Sequence, residues 1–305
     1  MPPRPSADVA TIAAVTVAIV AVSVSGPIIA YAAAPALAIA FWRNAMAVGV
    51  LAPAALIRRR TELAELAGPK GRRTGLFCVL AGVALSAHFA AWVPSTKLTS
   101  VAMAIALVAT QPVWQGLIAV AQGRRLPGLT WLGIGIAVIG VVVATGADVS
   151  ASSTALLGDV LALLGGVAAA CYSALGERAR ATTSTTSYTA ICYTVCALVL
   201  LAVCLIGRVP LSGYPATAWL ALVAITVGPQ LLGHSLLSFA LRRIKATTLA
   251  VLGLLEVPGA TLLGWLWLGQ VPRAWAWPGL CLLVLGVAVV VLPSRRAAQG
   301  FPPPL

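Results

Sequence analysis

The chain has 305 residues, of which 60% are hydrophobic and only 9% are charged. A soluble domain carries about 25% charged residues, so this composition excludes an ordinary soluble protein and predicts a membrane protein. The net charge of +13 would suit a nucleic-acid-binding protein, but the basic residues lie in short loops between apolar stretches, as in membrane proteins.

Ten apolar stretches are long enough to cross a bilayer, which takes about 20 apolar residues per helix. In chain order, the predicted spans are 9–24, 35–57, 75–95, 99–121, 129–147, 155–176, 187–207, 217–240, 246–268 and 274–293. The small residues Ala32-Ala33-Ala34 could mark the cleavage site of a signal peptide. Removing the first span would leave nine spans, which cannot be divided into two halves of five. We therefore favour an uncleaved first helix. The predicted fold is an all-α polytopic membrane protein.

The second half of the chain repeats the first. Residues 88–141 recur at 234–287 with a constant offset of 146, which pairs His88 with His234, Pro112 with Pro258, Gly123 with Gly269, Trp131 with Trp277, Gly133 with Gly279 and Gly140 with Gly286. Five spans fall in each half, at 9–147 and 155–293. Because five is odd, the two halves must cross the membrane in opposite directions. Inverted five-helix repeats are typical of secondary transporters, which bind substrate between the halves.

The basic residues predict the orientation of the chain. With a cytoplasmic N-terminus, 16 of the 20 Lys and Arg residues fall on the inner side and three on the outer side, while Arg43 lies within a span. This positive-inside pattern places both termini, with tails at 1–8 and 294–305 that look disordered, in the cytoplasm. The alanine-rich composition and the preference for arginine over lysine suggest a bacterial inner membrane. We expect the loops to contact anionic lipid rather than nucleic acid, and a homodimer remains one open oligomeric state.

No catalytic or metal-binding motif is recognisable. The six cysteines lie in apolar spans without a C-x-x-C pair, and the two histidines stand 146 residues apart. Cysteine in such surroundings behaves as a small apolar residue. The sequence carries neither a P-loop nor a dinucleotide fingerprint. We therefore predict neither an enzyme nor a cofactor or metal site.

Ionisable residues inside the spans are costly and mark candidate functional sites. Glu256 lies midway along the ninth span, two residues before Pro258, and Pro112 has the equivalent place in the fourth. Each proline removes a helical hydrogen bond, and two interrupted helices in inverted halves indicate a central site. Glu256 could bind a proton or a substrate amine, or it could be a protonated glutamate that joins helices.

Further candidates surround these two helix breaks. The residues predicted to bind substrate are His88, Trp92, Gln111, Trp114, His234, Ser238 and Glu256. His88 and His234 could relay protons, as Glu256 could, or could form hydrogen bonds between helices. Arg43 could bind a substrate carboxylate, or its long side chain could reach the outer interface.

Several motifs resemble those of EamA-type proteins in the drug/metabolite transporter superfamily. In the first half these are His88-Phe89-Ala90-Ala91-Trp92, Thr99-Ser100-Val101-Ala102 and Thr110-Gln111-Pro112; in the second they are Gly233-His234-Ser235-Leu236-Leu237, Leu255-Glu256-Val257-Pro258 and Leu268-Gly269. The resemblance covers roughly residues 9–293. It implies a ten-helix exporter of small metabolites such as amino acids, with a cavity formed mainly by the first, third, fourth, sixth, eighth and ninth helices. The Leu-Gly-Glu that usually ends the fourth and ninth helices is replaced by Gly123-Arg124 and Gly269-Gln270.

The sequence therefore favours a secondary transporter with a small-molecule substrate, working by alternating access and coupled to protons through Glu256 or a histidine. Two alternatives stay open. A passive channel or facilitator for a small neutral solute would show flux unaffected by substrate on the opposite side. A membrane scaffold that transports nothing would show no solute-dependent stabilisation.

Overall fold

The computed structural model describes residues 8–146, 152–268 and 271–298, excepting the side chains of 264, 267, 268 and 293–298. All secondary structure in these ranges is helical. The membrane helices, numbered 1 to 10 in chain order, are Val9–Tyr31, Ala36–Arg58, Arg72–Leu98, Val101–Ala121, Gly128–Thr145, Ser153–Arg180, Thr185–Ile206, Ala216–Ala240, Ala246–Gly253 with Glu256–Leu268, and Ala276–Ala298. The predicted all-α membrane fold is confirmed.

Helices 1 and 10 both end beyond their predicted bounds, at Tyr31 and Ala298. In the described residues, nine helices are long and apolar enough to cross a bilayer, and the apolar part of helix 10, Ala276–Leu292, is shorter. Helix 10 continues to Ala298, into the predicted tail at 294–305. Residues 1–7 and 299–305 of the two predicted tails lie outside the described residues.

Successive helices cross the membrane in opposite directions, so alternate loops lie on the same side. Loops on the same side contact each other. We call the side with loops 59–71, 122–127, 181–184 and 241–245 the basic face, because most of the Arg and Lys residues lie there. On this face, the Glu62 carboxylate of the short helix Arg60–Ala67 accepts hydrogen bonds from the Ser184 backbone N–H and hydroxyl, both at 2.6 Å. On the opposite face, the Trp42 indole N–H donates to the Leu211 carbonyl at 2.9 Å.

Helices 4 and 9 are both interrupted where the sequence predicts. Helix 4 consists of Val101–Val108 and Gln111–Ala121, and helix 9 is divided between Gly253 and Glu256. Pro112 and Pro258 each lie in the first turn of the second segment, where a missing N–H costs no helical hydrogen bond. Each proline therefore lies in the first turn of the segment that follows a helix break.

Helices 1 and 8 carry irregularities that the apolar pattern does not reveal. Helix 1 is interrupted at Val24, between Val9–Ser23 and Ser25–Tyr31. Helix 8 contains a π-helix over Thr226–His234, with Pro229 inside it. Segments of π-helix occur frequently at functional sites, and this one ends at one of the two histidines.

Two of the three glycine pairs of the repeat lie where helices 5 and 10 contact each other. A Cβ atom added at Gly140 would lie 2.3 Å from the Leu283 backbone nitrogen and 2.8 Å from the Gly279 carbonyl oxygen. A Cβ atom at Gly286 would lie 2.6 Å from the Gly133 carbonyl oxygen. Small residues allow membrane helices to pack backbone against backbone, so the two halves meet through equivalent glycines.

Candidate functional site

A cavity of about 130 Å³ lies at the centre of the helical bundle. Its walls come from helices 1, 3, 4, 6, 8 and 9, the six helices that the resemblance implies. Ala109 and Leu254, at the two helix breaks, both line it. A cavity of roughly 150 Å³ is large enough to hold benzene. This cavity therefore has room for a compact molecule or for one ring of a larger one.

The structure brings together most of the predicted substrate-binding residues. Six of them line the cavity: His88, Trp92, Gln111, His234, Ser238 and Glu256. Trp114 does not line it, because its indole N–H donates to the Thr110 hydroxyl at 3.0 Å, which holds the ring against its own helix. Nearness to Pro112 in sequence was therefore misleading for Trp114.

Glu256 starts the second segment of helix 9 and lines the cavity. Its carboxylate forms no hydrogen bond or ion pair with any side chain or backbone group in the described ranges. The positive end of the helix dipole favours a carboxylate at this position, but a charged group in apolar surroundings still needs a partner. Its repeat equivalent Thr110 is engaged, since its hydroxyl donates to the Leu107 carbonyl at 2.6 Å. Glu256 is thus available to a proton or to a bound cation.

The two histidines have different surroundings despite their equivalent positions. The His88 ring stacks on Trp92, with centroids 5.9 Å apart and planes at 6°, and its Nδ1–H donates to the Gly165 carbonyl at 2.9 Å. The His234 ring forms no hydrogen bond with a described residue and lies 6.2 Å from the Tyr172 ring. Within the described ranges, no three His, Cys, Asp or Glu side chains come together as a metal site.

Sequence reasoning missed three polar residues in the cavity wall: Ser25, Tyr172 and Ser173. The Ser173 hydroxyl accepts from the Gln111 amide at 3.3 Å, and the Tyr172 hydroxyl lies 3.0 Å from that of Ser238. The Ser25 hydroxyl is buried and has no hydrogen-bond partner among the described residues. The resemblance to a family whose sixth helix lines the cavity was the available signal for Tyr172 and Ser173.

An ion pair and two hydrogen bonds join four helices on the basic face. The Glu177 carboxylate accepts from the Arg124 guanidinium at 2.9 Å and from the Ala246 backbone N–H at 3.1 Å. The Arg180 Nε–H donates to the Ser238 carbonyl at 2.9 Å. We call Arg124, Glu177, Ala246 and Arg180 the basic-face cluster. It joins the ends of helices 4, 6, 8 and 9, and Arg124 stands where the resemblance would place a glutamate.

Arg43 lies inside the bundle rather than at an interface. Its side chain is completely buried (0% exposed), so the interpretation that it extends to the outer interface is wrong. The Arg43 Nε–H donates to the Gln230 side-chain oxygen at 2.9 Å. The Gln230 side-chain NH2 group in turn donates to the Asn44 side-chain oxygen at 3.1 Å. The guanidinium carbon lies 4.2 Å from the centroid of the Phe89 ring.

Comparison with known proteins agrees with this architecture. No match is found among proteins of curated function. Among solved structures, 27 chains match. One of them, described as "Crystal structure of protein", superposes with a TM-score of 0.77 at 23% sequence identity, covering 94% of this chain and 98% of its own. At that identity the likeness shows a shared fold. The sequence profile of the EamA-like transporter family matches residues 9–146 and 156–292, and the chain belongs to this family of membrane transporters.

Proposed function

We propose that the protein is a secondary active transporter that exports small metabolites such as amino acids or related compounds. The observation that carries this proposal is the Glu256 carboxylate, which lines the cavity without a partner among the described residues. It lies at a helix break, where transporters bind substrates and coupling ions. A proton and a substrate amine would compete for this carboxylate, and their alternation would couple export to proton entry.

The remaining walls of the cavity suit a small molecule with both polar and flat groups. His88 and Trp92 present a stacked aromatic surface, while Gln111, Ser173 and Ser238 supply hydrogen-bonding groups. A few placed polar groups in a mostly apolar pocket are typical of small-molecule sites.

Alternating access is supported by the basic-face cluster. Its ion pair and hydrogen bonds join helices 4, 6, 8 and 9, which all contribute to the cavity wall, and so oppose a continuous path to that face. A channel needs such a path, whereas a carrier needs closure that can be reversed. By the positive-inside rule, we propose that the basic face and both termini are cytoplasmic, in a bacterial inner membrane.

The test is counterflow in proteoliposomes with labelled amino acids and amines at several pH values. A carrier shows faster exchange when unlabelled substrate is on the opposite side, and Glu256→Gln should abolish the pH dependence of that exchange. The matched control is Glu65→Gln, which changes an exposed glutamate of the short loop helix. Unchanged pH dependence in Glu256→Gln would sink the coupling role. A flux that is the same with and without unlabelled substrate on the opposite side of the membrane would indicate a channel.

A further inference from the structure

Arg43 has hydrogen-bonding capacity that the protein does not use. Its Nε–H bonds to Gln230, but both terminal nitrogens, Nη1 and Nη2, are buried without a hydrogen-bond partner among the described residues. No carboxylate in the described ranges forms an ion pair with it. The Phe89 ring face at 4.2 Å compensates part of the charge. An unpaired buried cation is otherwise costly, and within a membrane such a residue marks a functional site.

The Phe89 ring links this guanidinium to a residue of the cavity wall. The Phe89 ring contacts the Arg43 guanidinium and also lies 5.3 Å, edge to face, from the ring of His234. His234 lines the cavity, and so does His88, the neighbour of Phe89. Gln230, which holds Arg43, belongs to the same π-helix as His234. Phe89 therefore lies against both the guanidinium and a histidine of the cavity wall.

We propose that Arg43 is an anion-binding subsite of the transport pathway, which takes a carboxylate group of the substrate when the Phe89 ring turns away. The planar guanidinium presents N–H groups in a fork that matches the two oxygens of a carboxylate. The inference rests on the proposed function and narrows its substrates to those that carry a carboxylate, including zwitterions whose ammonium group meets Glu256.

The experiment compares two probes of the same shape that differ in charge, propionate and propionamide. Their dissociation constants are measured by thermal shift on the purified protein at fixed ionic strength. Wild-type protein should bind propionate more tightly than propionamide. Arg43→Gln should weaken propionate binding by roughly tenfold to a hundredfold, the usual effect of losing hydrogen bonds to a charged group, and should leave propionamide unchanged. Arg208→Gln, in an exposed loop of the opposite face, is the matched control.

Phe89→Ala removes the covering ring and should strengthen propionate binding without changing propionamide binding. This variant decides the matter if Arg43→Gln does not fold. Equal affinity of the wild type for the two probes, or Phe89→Ala with no gain for propionate, would overturn the proposal. The outcome is independent of transport. Arg43-dependent binding without counterflow would contradict the proposed function and support the subsite. Counterflow of other solutes without propionate binding would contradict the subsite and support the proposed function.

Discussion

The ion pair between Glu177 and Arg124 should hold the basic face closed, and its energy can be judged from its burial. A surface pair contributes about 0–1 kcal/mol, whereas removing one partner of a buried pair costs about 3–5 kcal/mol. The Glu177 side chain is 6% exposed and that of Arg124 is 32% exposed. Glu177→Gln keeps an acceptor for the Ala246 N–H but removes the charge, so we expect a cost of about 1–3 kcal/mol. If the pair exists only in the closed state, opening becomes roughly 5- to 150-fold more favourable.

The assay is labelling of a cysteine in the cavity from the basic face. Ser173→Cys places a thiol in the wall, and a membrane-impermeant maleimide is added to vesicles of each orientation, with the parent protein as background. Glu177→Gln should label faster from the basic face only. Arg125→Gln, an exposed neighbour of Arg124, should label as the parent does. The double variant Arg124→Glu with Glu177→Arg should restore slow labelling only in part. Its new arginine side chain cannot accept the hydrogen bond from the Ala246 backbone N–H. Equal rates in Glu177→Gln and Arg125→Gln would refute the reasoning.

Two further predictions concern stability. The pKa of Glu62 lies below its ordinary 4.5. Burial raises it, but the hydrogen bonds from Ser184 and Ser187 together lower it by more. Its stabilising contribution should therefore be complete above about pH 4.5 and be lost as pH falls through the folded-state pKa, so acidification should lower the apparent melting temperature less in Glu62→Gln than in wild type. Gly140→Leu should cost at least about 1–3 kcal/mol, since even its Cβ would lie 2.3 Å from the Leu283 nitrogen, whereas Gly135→Leu in the same helix has free space and should melt as the wild type does.

Features that depend on local sequence could be predicted, and those that depend on distant partners could not. Apolar length indicated the spans, and Pro112 and Pro258 indicated the helix breaks, because a proline ring clashes with the carbonyl four residues earlier in a continuous helix. The environment of Arg43 escaped prediction, since its partner Gln230 lies 187 residues away. The π-helix escaped too, because its apolar pattern differs little from that of an α-helix. Trp114 was misplaced because adjacency in sequence does not show which group its indole will contact.

The duplication explains the scaffold of the site but not its chemistry. Equivalent prolines interrupt helices 4 and 9, and equivalent glycines join helices 5 and 10, so both halves supply the same backbone frame. The side chains in that frame differ. Thr110 is engaged with its own helix where Glu256 is free of partners among the described residues, and His88 is fixed by Gly165 where His234 is not. Among the described residues, the cavity wall thus has one carboxylate and an imidazole whose neighbour Phe89 contacts Arg43. A symmetric pair of carboxylates would repel each other in so small a space. One carboxylate per site avoids that repulsion, and the proposed competition between a proton and a substrate amine then involves a single group.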